Sequence, residues 1–417
     1  MKAKSGSGTA RNLGFASLLM AYFLVQILRN SPSAVKLYLD AEFGLSTLQY
    51  SNLSSAFFYS YAFVQIPAGI LVDMKGPRKT ALGGTALMAA GSILHGLSRG
   101  YGMLLCSRMM MGLGSGVMFL CVLKYLALQF RENQFSTLTG FSSAVANIGA
   151  AVSQAPVVAL ASVITWRRCF YLFGGAVLLA VLLISVFVSE GKQTGPEHRQ
   201  TFPKVMKAIR GILLNQHMYV PFLINFIAQG IYVVGFTWTI SYLCDVYGVS
   251  TMQAGSISSV VPIVATVVTF SSGRICDVQG RRKPTGAVCS FAIVLMLGLA
   301  AFCGTEKPPY FLAAVSVMSS GVAVFYAIYF GLAKDLNPPE FSGIATGLLN
   351  MTTFIGASVF PVLFGSVLNQ FGRTTYGYRM AYRLMFVIAV IMLLLCLKAK
   401  ETGMRNRWQD IRNGTFK

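Results

Sequence analysis

The first candidate functional residues are four polar side chains in an apolar stretch near the N-terminus. They are Tyr22, Gln26, Arg29 and Ser33. Their spacing of four, three and four residues places them on one face of an α-helix. A guanidinium within a membrane helix is costly unless it meets water or a partner, and its forked donors suit a carboxylate or a phosphate. We therefore expect Arg29 to contact an anionic substrate; the alternative is that it snorkels towards the outer surface.

A matching set of polar residues recurs later in the chain. Asn225, Gln229 and Tyr232 each follow Tyr22, Gln26 and Arg29 by 203 residues. This predicts two related helices with matched polar stripes. The alternative is that the stripes form hydrogen bonds between helices without a ligand.

The carboxylates supply a second argument about the substrate. All 13 Asp and Glu residues lie in predicted loops, tails or helix ends. A buried arginine without an acidic partner needs an anion to complete it. The sequence thus favours a substrate that carries a carboxylate or a phosphate.

The elements that position these residues are membrane helices. Of 417 residues, 55% are hydrophobic and 11% are charged, and the mean hydropathy is +0.62. Soluble proteins carry about 25% charged residues. We expect an all-α membrane protein with twelve transmembrane helices, since about 20 apolar residues cross a bilayer. The apolar runs are 13–37, 48–72, 80–98, 102–126, 136–162, 169–189, 218–243, 252–273, 284–304, 309–333, 342–369 and 379–398.

The net charge of +21 comes from basic residues that fall in short segments between apolar runs, as in the loops of a membrane protein. Of 34 Lys and Arg residues, 23 fall on one side and eight on the other, which predicts cytoplasmic termini. No nucleic acid is therefore expected as a partner. The predicted divisions are a six-helix bundle at 1–189, a cytoplasmic linker at 190–217, a second six-helix bundle at 218–398 and a cytoplasmic tail at 399–417.

The two halves carry the same loop motif. Gly69, Asp73, Gly76 and Arg78 after the second run recur, at an offset of 204, as Gly273, Asp277, Gly280 and Arg282, with Arg281 beside the last. A second pair of segments, around Gly149 and Gly356, agrees at an offset of 207. Two parallel six-helix repeats predict pseudo-symmetric bundles and a substrate site near the middle of the membrane.

The doubled loop resembles the signature loop of the major facilitator superfamily. Arg108, Gly112 and Gly114 resemble its second motif, and the segment Ser54 to Pro67 is similar to the organic anion:cation symporter branch. The resemblance implies a secondary transporter that works by alternating access. The charged loop residues, Asp73 with Arg78 and Asp277 with Arg281, are expected to latch the cytoplasmic side; the alternative is that they only set topology.

The resemblance also places helices 4 and 10 at the central cavity. Arg108 is then a candidate substrate contact, or else a structural donor to carbonyls of a neighbouring helix. Lys124 lies sixteen residues on, about 160° around a straight helix, and is otherwise a snorkelling end residue. Tyr326 and Tyr329 either present hydroxyls to the cavity or pack.

The sequence departs from the branch at the residues that carry protons. Leu28 and Ser115 stand where the branch has Asp in helix 1 and Glu in helix 4. Coupling therefore stays open among a proton, a sodium ion, exchange for another anion and facilitated movement.

The function expected from the sequence is transport of a small organic anion across a bacterial inner membrane, by a monomer. A drug exporter of the same fold and a non-transporting sensor are the alternatives. No residues predict an enzyme, a cofactor or a metal site.

Overall fold

The computed structural model describes residues 8–189, 202–302, 322 and 324–415. Throughout these ranges the long regular elements are α-helices, as expected. They are α1 Gly8–Phe43, α2 Thr47–Gly96, α3 Tyr101–Ser115, α4 Met118–Gln129, α5 Glu132–Val152, α6 Ala155–Ile164, α7 Trp166–Phe187, α8 Phe202–Leu214, α9 Tyr219–Tyr247, α10 Thr251–Gln279, α11 Lys283–Phe302, α12 Val324–Asp335, α13 Ser342–Phe371, α14 Thr375–Lys398 and α15 Trp408–Arg412.

The helices are long and apolar enough to cross a bilayer. In the described ranges nine spans meet this requirement, or ten if the pair on either side of residues 153–154, bent by 45°, is one span. The predicted run 80–98 forms the later part of α2, and most of 309–333 lies outside the described residues. The all-helical membrane architecture is confirmed, and the twelve-helix count is compatible with it.

Both copies of the doubled loop motif place a glycine at positive φ. Element α2 is two helices that meet at Gly76, where φ is 80° and ψ is 166°. Gly280, between α10 and α11, has φ of 61°. Glycine occupies this left-handed region without strain, which is why both copies of the motif need it.

The described chain forms two compact units. One holds residues 8–45 and 56–189, and the other holds 46–55 together with 202–415. The start of α2 belongs to the second unit. The domain limits derived from the sequence stay a prediction.

Inside each unit a repeat-related glycine lets two helices touch. A Cβ on Gly149 would lie 2.7 Å from the carbonyl oxygen of Phe23 in α1. A Cβ on Gly356 would lie 1.9 Å from the carbonyl oxygen of Phe226 in α9. Phe23 and Phe226 are themselves 203 residues apart. Small residues at helix crossings are the usual basis of close packing in membranes, so these glycines hold each polar-striped helix against its neighbour.

Candidate functional site

The side chain of Arg29 is half-buried on α1 and held by its own helix. Its Nη2 donates to Oε1 of Gln26, whose side chain is buried, and its guanidinium carbon lies 6.0 Å from the centre of the Phe58 ring. About two turns before Arg29, the half-buried ring of Tyr22 stacks on the ring of Phe119, with ring centres 5.3 Å apart. Tyr22, Gln26 and Arg29 thus lie along one face of α1, and the Arg29 guanidinium on that face is partly accessible.

Arg108, on α3, is fully buried and lies against the backbone of α1. Its Nη1 donates to the carbonyl of Leu28 at 2.5 Å, and its Nη2 donates to the carbonyl of Arg29 at 2.9 Å. In an α-helix the Leu28 carbonyl would accept from the N–H of residue 32, but Pro32 has none. Arg108 therefore replaces a hydrogen bond that Pro32 removes.

This geometry changes the interpretation of Arg108. Of the two roles open from the sequence, substrate contact and a structural bond to carbonyls, the structure displays the second. Because it is 0% exposed, Arg108 does not face an entering solute in this conformation. We assign it a positioning role, since it fixes the backbone that carries Arg29. Lys124, half-buried in α4, lies sixteen residues further along the chain.

In the second unit, α9 carries the matching stripe. Asn225 is buried and its amide donates to the carbonyl of Pro221 at 3.1 Å, within its own helix. Gln229 is 4% exposed, and its Oε1 has no hydrogen-bond partner in the described part of the chain. Tyr232 packs against Phe236, with ring centres 5.0 Å apart. A buried amide oxygen without a donor is costly, so Gln229 is the residue of this stripe best suited to accept from a ligand.

Of the two candidate tyrosines on α12, the structure describes the side chain of Tyr329 and not that of Tyr326. Tyr329 is 3% exposed, and its hydroxyl lies 3.3 Å from the sulfur of Cys396 on α14. Its surroundings are those of a packed side chain, which was the alternative to a cavity role. The side chain of Tyr326 lies outside the described residues.

The contacts described at the loops involve other partners than the expected latch pairs, which stay a prediction. Arg78 donates to the carbonyl of Ser185 at the end of α7, and the side chain of Asp73 lies outside the described part. Asp277 and Arg281 are both exposed, and the next residue, Arg282, carries the ion pair of this loop, with Asp335. One residue of helical rotation separates a solvent-facing arginine from a packed one, and the motif alone does not distinguish them.

The partners of Arg282 include the C-terminal tail, which the sequence did not connect to this loop. The Thr402 hydroxyl donates to Oδ2 of Asp335 at 2.7 Å, and Glu401 accepts from the backbone N–H groups of Arg282 and Lys283 at 2.9 and 2.8 Å. The tail therefore caps the start of α11. No pattern within residues 399–402 indicates these contacts.

A second missed feature is an ion pair on α1. The helix extends to Phe43, beyond the predicted end at 37, and so includes Lys36 and Asp40. Lys36 Nζ pairs with Asp40 Oδ2, and their side chains are 3% and 18% exposed. Continuing the spacing of the polar face by three and four residues from Ser33 would have found both.

Long apolar helices with polar stripes and half-buried cations define an integral membrane protein of the polytopic helical class. The Major Facilitator Superfamily model matches residues 18–361, which is most of the chain. The protein belongs to the Major Facilitator Superfamily, and the resemblance of its loop motifs is confirmed.

Curated relatives are similar over nearly their whole length. The probable sulfoacetate transporter of Cupriavidus necator is 22% identical over 92% of this chain and 94% of its own. The hexuronate transporter of Bacillus subtilis is 23% identical over 93% and 95%. The probable L-galactonate transporter of Escherichia coli is 24% identical over 85% and 81%.

Solved structures share the fold. A bacterial homologue of the human lysosomal transporter Spinster superposes with a TM-score of 0.78 at 15% identity, over 94% of this chain and 98% of its own. The nucleoside transporter NupG superposes with a TM-score of 0.77 at 14% identity, over 93% and 99%. At these identities the likeness establishes the fold alone, and the family places the chain among transporters rather than enzymes.

Proposed function

We propose that this protein transports a small organic anion by alternating access. The observation that carries the proposal is Arg29. It is a half-buried cation in a membrane-spanning helix, its Nη2 donates to the neutral side chain of Gln26, and it lies on a face of polar residues. A cation at such a position is a functional candidate, and a carboxylate or another oxyanion completes it.

Three further observations support the same substrate class. The relatives named above are a hexuronate transporter and the probable transporters of sulfoacetate and L-galactonate, and all three solutes are organic anions. Both terminal nitrogens of Arg108 donate to backbone carbonyls of α1. These bonds fix the backbone at Arg29 and add no negative charge beside its guanidinium. Gln229 has a buried oxygen without a partner, which suits a hydroxyl donor such as those of sugar acids.

Membrane placement, coupling and state of assembly extend the proposal. We place both termini in the cytoplasm and the protein in a bacterial inner membrane, from the positive-inside distribution of Lys and Arg. We expect the functional unit to be a monomer. We infer a proton or a sodium ion as the co-transported ion.

Counterflow with purified protein in liposomes tests the substrate class. Vesicles preloaded with D-galactonate, sulfoacetate or D-glucuronate receive a trace of the same labelled anion outside. We expect label to accumulate for at least one of them, and neutral D-galactose to show none. Accumulation of a lipophilic cation, without accumulation of any of the three anions, would replace the proposal with the drug-exporter alternative.

A further inference from the structure

The Lys36–Asp40 pair lies on the same face of α1 as the proposed substrate contact. Ser33, Lys36 and Asp40 follow Arg29 by four, seven and eleven residues. Seven residues make about two turns and about 10 Å of rise, so Lys36 and Arg29 project from nearly the same direction. The polar face thus ends in a charged pair two turns from Arg29.

Stability does not explain this pair. Taking two charges out of water costs several kcal/mol per ion, and replacing a buried pair with apolar residues is often neutral or favourable. The fold itself supplies the comparison, because the repeat-related positions in α9, at the offset of 203, are Thr239 and Leu243. The second unit builds the same helix with no charge at either position.

Lys36 is too buried to be a snorkelling cation. Its side chain is 3% exposed, against 18% for Asp40, so the carboxylate is the more accessible member. A buried ammonium needs an anion beside it at every stage. Either an ionised Asp40 or another anion can meet that need. A second anion can therefore take the place of the Asp40 carboxylate beside Lys36.

We propose that Asp40 is the proton site that couples transport, with Lys36 as the group that exchanges partners; this rests on the anion transport proposed above. A proton binds an Oδ atom of Asp40, the ion pair breaks, and the still-charged ammonium of Lys36 pairs with the acid group of the substrate. When the substrate leaves, the proton leaves Asp40 for water, and Lys36 returns to the carboxylate. One proton and one negative charge thus enter and leave together.

The helices packed against α1 differ in the titratable groups that they carry. Residues 133–164, which include all of α6 and nearly all of α5, have no titratable side chain. The other helices in contact with α1 carry Tyr101, Cys106 and Arg108 on α3, Cys121, Lys124 and Tyr125 on α4, Glu132 on α5, and Arg167, Arg168, Cys169 and Tyr171 on α7. Element α2, whose Phe58 ring lies beside Arg29, carries Tyr50, Tyr59, Tyr61, Asp73, Lys75, Arg78, Lys79 and His95.

The nearest carboxylate along α1, Glu42, has a different set of partners. It accepts from Trp166 Nε1 at 2.8 Å and pairs with Arg167. That fixed arrangement has no second anion to exchange with. Glu42→Gln is therefore the matched control for loss of a carboxylate at this end of the helix.

Proton uptake by the unmodified protein is the first test. Detergent-purified protein in weak buffer with a pH-indicator dye receives whichever of D-galactonate, sulfoacetate and D-glucuronate gives counterflow. We expect uptake of about one proton per anion bound, at a pH where the anion is fully ionised. Binding without a proton change would overturn the coupling role and leave anion transport standing. If none of the three anions gives counterflow or binding, the proposed function fails instead.

A comparison of Asp40→Asn with Glu42→Gln tests whether the coupling proton binds Asp40. In liposomes with an alkaline interior, wild type and Glu42→Gln are expected to concentrate the anion several-fold. Asp40→Asn mimics the protonated acid, so accumulation should fall to the equilibrium ratio while counterflow remains measurable. Persistent accumulation by Asp40→Asn would contradict the assignment.

A double substitution guards against misfolding. Lys36→Thr with Asp40→Leu copies the second repeat, and we expect its thermal midpoint in detergent to match wild type. Asp40→Leu alone leaves a buried lysine unpaired and should be less stable. Proton uptake on anion binding should be absent from the double variant, and its presence there would remove the pair from the mechanism.

Discussion

At the scale of single residues, the position of Arg29 on a polar helix face could be predicted from the sequence, whereas the sequence left two roles open for Arg108. An arginine in an apolar run with polar neighbours at i−3 and i+4 is visible in the sequence. The bond from Arg108 to Leu28 links positions 80 residues apart, and its reason is the N–H that Pro32 lacks. Nothing in the spacing around Arg108 indicates which helix it will meet.

Removing Arg108 should matter less once Pro32 is also removed. Among the described residues, Arg108→Gln leaves the buried Leu28 carbonyl with only the long contact from the Ser31 hydroxyl at 3.5 Å, and we expect a loss of about 1–3 kcal/mol in unfolding free energy. Pro32→Ala restores the helical N–H to that carbonyl. In thermal unfolding of detergent-purified protein, the double variant should lose less stability than the sum of the two single variants. Strict additivity would show that the two residues act independently.

At the scale of helices, the membrane spans were predictable and their contacts were only partly so. Hydropathy and the Lys and Arg pattern depend on local composition, which the sequence displays directly. The crossing of α5 over α1 depends on Gly149, whose importance the repeated motif signalled without naming its partner, Phe23. The first apolar run was predicted to end at residue 37, whereas the helix continues to Phe43 and contains the paired Lys36 and Asp40.

A methyl group added at Gly356 should loosen the second unit. Its Cβ would lie 1.9 Å from the Phe226 carbonyl oxygen, so α9 and α13 must separate. We expect Gly356→Ala to lose about 1–3 kcal/mol, as overpacked cores do. Gly347→Ala, on the same helix with nothing within 4 Å, is the control and should be neutral or stabilising. Equal midpoints for both variants would mean that the helices do not meet as described.

At the scale of the whole molecule, the repeat was the most informative feature of the sequence. The offset near 204 predicted two similar halves, and both copies of the loop motif bend at a glycine of positive φ. The contact of the C-terminal tail with Arg282 could not be predicted from the sequence, because it joins a loop to residues about 120 positions later. Long-range polar contacts of this kind depend on tertiary geometry that no local pattern encodes.

Membrane orientation follows from the distribution of basic residues and can be measured directly. Lys75 and Arg99 are both exposed, and they flank one predicted span. Each is replaced by Cys and treated with a membrane-impermeant maleimide of high mass, with wild type as the blank. We expect Lys75→Cys to shift on a gel only in inverted vesicles and Arg99→Cys only in right-side-out vesicles. The opposite pattern would invert the topology.

The central claim is that the Arg29 guanidinium binds the transported anion. Isothermal titration with the anion that gives counterflow tests this most directly, with Arg29→Gln compared against Arg168→Gln, an exposed arginine of the same unit. Losing charge-assisted hydrogen bonds of about 1.5–3 kcal/mol should weaken Kd about 10- to 100-fold in Arg29→Gln. Arg168→Gln should bind like wild type. An unchanged Kd in a folded Arg29→Gln protein would contradict the account.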